Sequence, residues 1–209
     1  GSCCIELWGE CYNIEETTEL DLSDSGLTGQ IPSEIGNLTN LIELNLSLNG
    51  LNGEIPIDIG NLTNLSELIL SNNIFTGNIP SEIWDLNNLE RLSLGGNQLT
   101  GPIPSEIGNL TNLEYLSLGY NLLTGEIPSE ICIQGDSSPY LSNNLFCPPY
   151  PDCLSEDDIG YQDISECELY SGPNWYVSTD GTDAEGYGSE AYPFSLIQYA
   201  IDSSSDGDT

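Results

Sequence analysis

EIGNLTNL at 34–41 returns as DIGNLTNL at 58–65 and again as EIGNLTNL at 106–113. Near-copies of one octapeptide point to an internal repeat, and the flanking residues fix its period. Pro32, Pro56, Pro80, Pro104 and Pro128 stand 24 residues apart; Gly29, Gly53, Gly77, Gly101 and Gly125 keep the same step, as do Asn49, Asn73, Asn97 and Asn121. A period of this length belongs to a stacked architecture, in which each unit buries its apolar side chains only against its neighbours.

One unit, LTNLEYLSLGYNLLTGEIPSEI at 110–131, shows the logic. Leu110, Leu113, Leu116, Leu118 and Leu123 with Asn121 fit L-x-x-L-x-L-x-x-N-x-L. The L-x-L piece alternates as a strand does, which turns Leu116 and Leu118 inward and Tyr115, Ser117 and Gly119 outward. Asn121 bends the chain, and its side-chain amide satisfies backbone groups that the bend would orphan. In the Gly-x-Ile-Pro step, proline fixes φ, lacks a donor and sends the chain back across the other side.

These residues resemble the plant-type leucine-rich repeat, with its L-T-G-x-I-P signature, over residues 17–146. The resemblance implies a solenoid with a parallel sheet on its concave face and an irregular, 3-10-rich convex side. Members of that family are extracellular recognition modules, and the acidic composition is more similar to secreted repeat proteins of bacteria.

Charge narrows the partners. Thirty-four Asp and Glu face a single basic residue, Arg91, with no Lys or His, for a formal charge of −33. Such a field repels phosphate backbones and anionic lipid, so neither nucleic-acid binding nor attachment to a membrane surface is expected. No apolar run is long enough for a membrane span, and membrane insertion is not expected either. Protein ligands with basic patches, neutral glycans and cations remain.

The seven cysteines, at 3, 4, 11, 132, 147, 153 and 167, flank the repeats and leave 12–131 empty, a distribution suited to disulfide-braced caps in a secreted protein. The segment 1–16 reads as the amino-terminal cap, with Cys4 and Cys11 close enough to bridge and Trp8 covering the core end. At the other end, 147–171 reads as a cysteine cap running into an acidic linker or wrap. There the expected pairs are Cys147–Cys153 and Cys132–Cys167. The odd cysteine is assigned to Cys3 or Cys4.

Beyond 171 the composition changes. Trp175–Ser178 reads as a strand, and Pro193 opens a helix carrying Phe194, Ile197 and Ile201 on one face. The segment 172–209 resembles the opening of right-handed parallel β-helix proteins of the pectate-lyase-like group, which implies an incomplete capping segment.

Catalysis is not expected. Carboxylates are abundant, but acid–base work needs two of them set apart by environment across a cleft, and a repeated solvated face has no such asymmetry. Glu34, Asp58, Glu82, Glu106 and Glu130 form a column that reads first as a solvated ridge and second as a loose Ca2+ site; D180-G-T-D-A-E-G lacks the EF-hand spacing, and no metal centre or other cofactor is expected.

The binding surface expected on the concave strands comprises Glu43, Glu67, Arg91, Tyr115, Ser117 and Tyr120, with small residues such as Ser71, Ser93 and Gly95 between them. Asn37, Asn45, Asn61, Asn64 and Asn109 each precede Thr or Ser by two places and are candidate N-glycosylation acceptors; one at Asn45 would obstruct the concave face. The reading is an extracellular recognition or adhesion scaffold with a protein or glycan ligand. The alternatives are a filament or surface-layer subunit self-associating through its carboxy-terminal segment, and the targeting arm of a β-helix polysaccharide-active enzyme.

Overall fold

The 24-residue period becomes a stack of rungs in the computed structural model, which describes residues 4–165, 167, 176–177 and 184–185. The chain divides into two units, 1–166 and 167–209. The first opens with a hairpin, β1 (Cys4–Leu7) against β2 (Glu10–Asn13), whose two-residue loop Trp8-Gly9 has positive φ at both positions, as a type I′ turn requires. Cys4–Cys11 staples that hairpin as expected. Leu7 is fully buried, and Ile5, Trp8 and Tyr12 pack beside it against the first rung. The Trp8 indole N–H is buried without a partner, so the residue serves as an apolar lid.

Each rung then contributes twice. Strands β3 (Glu19–Asp21), β5 (Glu43–Asn45), β7 (Glu67–Ile69), β9 (Arg91–Ser93) and β11 (Tyr115–Ser117) form a parallel five-stranded sheet. Its register pairs Leu20, Leu44, Leu68, Leu92 and Leu116 in one buried column. The L-T-G portions form a second parallel sheet that the sequence pattern does not announce: β4 (Thr28–Gly29), β6 (Gly50–Gly53), β8 (Ile74–Asn78), β10 (Gln98–Gly101), β12 (Leu122–Glu126) and β13 (Leu145–Cys147). Its strands are short and mostly polar, and those from β6 to β13 have one buried apolar residue each, such as Leu51, Phe75, Leu99 and Leu123, so they carry little alternation to read. The period glycines stand last or next to last in these strands at φ of 76–84°, a conformation other residues adopt only under strain. Proline then caps a 3-10 turn, as at Ser33–Asn37, Ile57–Asn61 and Ser105–Asn109, and Ile35, Ile59 and Ile107 close the core from that side.

Two asparagine ladders tie rung to rung. Buried Asn73 donates from Nδ2 to the carbonyls of Leu46 and Leu70 and accepts the Leu51 N–H on Oδ1, spanning adjacent rungs with one side chain. Asn97, Asn121 and Asn144 repeat the pattern. Losing such a side chain strands three buried backbone groups and costs about 3 kcal/mol. On the 3-10 side, Asn40, Asn64, Asn88 and Asn112 each donate to a carbonyl of the preceding rung.

The stack does not stop at Cys147. Leu141 and Asn143 donate their N–H groups to the carbonyls of Asp158 and Tyr161, and Gln162 takes the ladder role, donating to Leu141 and Ile159 and accepting from Phe146. Its longer side chain compensates for a shorter rung. Helix α1 (Glu156–Ile159), with a Ser155 capping box, leads into it, so the acidic stretch 154–163 is an ordered wrap.

The carboxy-terminal disulfides differ from expectation. Cys132, at the end of the last 3-10 turn, bonds to Cys153, with Cα atoms 5.7 Å apart. That excludes both Cys147–Cys153 and Cys132–Cys167; Cys147 and Cys167 are each disulfide-bonded as well. Sequence proximity favours closing 147–153, but Cys147 is held in β13 beside Glu126 while the Pro-rich turn carries Cys153 back to the 3-10 side. Cys4 is bonded, and Cys3, the other candidate for the odd thiol, lies outside the described residues.

In the second unit, β14 (Tyr176–Val177) pairs antiparallel with β15 (Ala184–Glu185), within the strand expected at 175–178. The helix expected from Pro193 and the acidic 180–186 loop fall outside the described residues, apart from Ala184 and Glu185.

Candidate functional site

Parallel in-register pairing stacks identical positions of successive rungs, so the outer face of the five-stranded sheet is a set of side-chain columns. One runs Glu19, Glu43, Glu67, Arg91, Tyr115. Another runs Asp21, Asn45, Ile69, Ser93, Ser117 and, through an isolated bridge, Tyr140. The first column changes character halfway along. At its acidic end the Glu43 carboxyl is held above its usual range, first by desolvation and then by Glu19, Glu67 and Asp21. The neighbouring Asp21 is held below its range by the Ser23 backbone N–H and hydroxyl, with a further bond from Asn45.

Arg91 resolves the column. Its Nε lies 3.6 Å from Glu67, and its guanidinium carbon sits 4.8 Å from the centroid of Tyr115. Exposed, the ion pair contributes at most about 1 kcal/mol and the cation–π contact about as much. The consequence is positional: Arg91 is committed to two neighbours and orients Tyr115.

Beyond Tyr115 lies a hollow of about 520 Å³, lined by Ser71, Asn72, Ser93, Gly95, Gly96, Tyr115, Ser117, Gly119, Tyr120 and Tyr140. Small residues make its floor and three tyrosines its wall. Ser93 and Ser117 are only 8% and 7% exposed, while Tyr115, Tyr120 and Tyr140 are 40%, 58% and 39% exposed. Tyr120 has φ of 56°, so an aromatic residue occupies a turn position that Gly96 and Asn72 fill on the preceding rungs; bulky residues rarely adopt it. The rings of Tyr120 and Tyr140 stand 6.2 Å apart, tilted by 35°. Tyr140 is held above the usual phenol range, first by its hydrogen bond with Tyr120 and then by burial.

The expected surface residues therefore separate. Arg91, Tyr115, Ser117 and Tyr120 meet at or beside the hollow, Ser117 as floor; Glu67 adjoins through Arg91, and Glu43 stands three rungs from Tyr115. Tyr140 is the residue sequence reasoning missed, because its rung is shortened. The signal lay in Asn144: three residues before it, Leu141 matches Leu118 before Asn121, which places Tyr140 beside Ser117. In the acid column on the 3-10 side Glu34 and Glu106 are exposed and Asp58, Glu82 and Glu130 half-buried, with Glu34, Glu82, Glu106 and Glu130 each accepting from the preceding serine hydroxyl. Among the described residues no group of three or more His, Cys, Asp or Glu is arranged to hold a metal.

The family model for the Leucine Rich Repeat matches residues 16–38, 40–62 and 64–86, and a model for two copies of the repeat matches 87–129. A chain of the BIR3–SERK2 complex from Arabidopsis thaliana is 34% identical, over 73% of this chain and 80% of that one, with a TM-score of 0.57. The BIR2 ectodomain from the same plant is 35% identical over 64% and 71%, with a TM-score of 0.59. The chain belongs to the leucine-rich repeat family. The Arabidopsis receptor kinase HAESA, solved with the peptide hormone IDA and the co-receptor SERK1, is 40% identical with a TM-score of 0.60, but there the repeats span 64% of this chain and 23% of the receptor's. Against the RGFR1 receptor the share of that chain is 21%, so this repeat stack spans about a fifth of these longer receptors. No curated protein matches the chain.

Proposed function

We propose that this leucine-rich repeat chain is an extracellular, non-catalytic recognition module whose sheet face binds a peptide or protein segment. The tyrosine hollow receives an apolar or aromatic side chain of that partner, and the Glu19–Glu43–Glu67 column receives its basic residues. The observation that carries the reading is the hollow itself: three half-exposed tyrosines around a serine and glycine floor, on the face where the rungs present their side chains in columns. Rigid aromatics of this kind dominate protein interfaces because they bring contact area at little entropic loss. The similar structures agree in kind, HAESA being solved with a peptide hormone and RGFR1 with RGF2. The oxidised cysteine caps support an extracellular setting, and among the described residues no helix is long and apolar enough to cross a membrane.

The test is selection from a random peptide library, followed by affinity measurement on variants. Selected peptides are expected to be basic with an aromatic anchor. Tyr120→Ala and Tyr140→Ala are each expected to weaken binding tenfold or more, about 1.4 kcal/mol or more, and Glu43→Gln to weaken it less while flattening its salt dependence. Peptides that bind both tyrosine variants as tightly as the parent overturn the reading, as does enrichment confined to a glycan array.

A further inference from the structure

The five asparagines that precede Thr or Ser by two residues are equivalent in sequence and unequal in the fold. Asn45 lies on the sheet face. Its Oδ1 accepts from the Ser47 N–H at 3.1 Å and the Ser47 hydroxyl at 2.7 Å, and it stands directly opposite Asp21 on the paired strand. Ser47, whose hydroxyl completes the acceptor motif, is 8% exposed. Asn64 is a member of the ladder on the 3-10 side: its Nδ2, the atom that would carry a sugar, donates to the Thr39 carbonyl at 2.8 Å, and Asn40, Asn88 and Asn112 make the equivalent bond on the other rungs. A saccharide on Asn64 Nδ2 would displace the hydrogen bond that ties two rungs, and one on Asn45 would crowd Asp21 of the paired strand and the buried Ser47.

Asn37, Asn61 and Asn109 differ from both. Each is the last residue of a 3-10 turn, each is exposed, and so are Thr39, Thr63 and Thr111, which complete their motifs. Among the described residues none of these three side chains makes a hydrogen bond that glycosylation would break. They share one edge of the stack, away from the tyrosine hollow. The rung between them carries Asp85 at the matching position, so the column skips one step.

We propose that Asn37, Asn61 and Asn109 form the N-glycan acceptor edge of this domain and that Asn45 and Asn64 stay bare. In the transfer, Nδ2 forms a bond to C1 of an oligosaccharide carried on a lipid diphosphate; the C1–O bond breaks, the lipid diphosphate departs, and the amide loses one proton to the transferase. The sugars then coat the 3-10 edge, and the one acceptor motif on the sheet face, Asn45, is withheld, which leaves that face clear. The inference stands independently of what the hollow binds.

The full chain secreted from insect cells, freed of glycans by an amidase in 18O water, reports each occupied asparagine as labelled aspartate in peptide mass spectra. Label on the secreted, folded protein is expected at 37, 61 and 109 and at neither 45 nor 64. Asn37→Gln, Asn61→Gln and Asn109→Gln should each remove one glycan's mass from the intact protein, while Asn45→Gln and Asn64→Gln leave it unchanged. Label at 45 or 64, or its lack at any of the three edge positions, overturns the assignment.

Discussion

Gly119 decides whether the hollow has its third wall. A Cβ there would strike the ring of Tyr140 and would stand 3.0 Å from the Ser142 carbonyl, so only glycine lets that ring lie across the end of the sheet. The ring is the flexible partner and yields before the backbone does. Gly119→Ala is therefore expected to destabilise the fold by only about 1 kcal/mol while displacing Tyr140 and lowering affinity for a selected peptide as Tyr140→Ala does. Calorimetric unfolding beside a binding titration separates the two effects; unchanged binding would mean that Tyr140 does not touch the partner. Tyr120 is the complementary case, an aromatic side chain held at positive φ where its rung-mates are asparagine and glycine.

Within the elements, charge is arranged by register. Pairing of β3, β5 and β7 brings Glu19, Glu43 and Glu67 side by side, and like charges directly opposite on neighbouring strands destabilise by a few tenths to about 1 kcal/mol. The raised Glu43 group binds its proton more readily folded than unfolded, so the stability it contributes is present below the ordinary glutamate range and lost as pH rises through its raised value. Asp21 has the opposite sign: its contribution is present above the ordinary aspartate range and lost as pH falls through the lowered value. Glu43→Gln should accordingly raise the melting temperature slightly at neutral pH, and the gain should vanish on acidification below the glutamate range. A gain that persists in acid would show that packing, not repulsion, is what the substitution changes. The leucine columns, the period prolines and the asparagine turns were legible in the sequence because each recurs at a fixed step. The second sheet was not, since its strands are held by glycine-terminated backbone geometry and not by alternation. The Gln162 rung and the Cys132–Cys153 bond were hidden for a related reason: both depend on rungs shorter than the period, where spacing no longer reports position.

Across the whole first unit, stability is a sum over neighbouring rungs, braced by the hairpin cap at one end and by the Cys132–Cys153 bond and the Gln162 rung at the other. Surface chemistry is distributed unevenly on that uniform stack. The amino-terminal rungs present carboxylates, the carboxy-terminal rungs present tyrosines, and Arg91 sits at the change. Of the residues lining the hollow, Tyr115 and Tyr120 were legible as outward-facing, because they fall at strand and turn positions of regular repeats; the floor and Tyr140 needed the fold, because burial of Ser93 and Ser117 and the bridge from Ser117 to Tyr140 are products of stacking. The central claim is that the tyrosine hollow is where a partner is held. Hydrogen exchange of the domain with and without a selected peptide tests it most directly. Slowed exchange is predicted at 71–72, 93–96, 115–120 and 140, spreading toward 43–45 and 67–69 for a basic peptide; protection confined to the 3-10 turns at 33–37, 57–61 and 105–109 would contradict it.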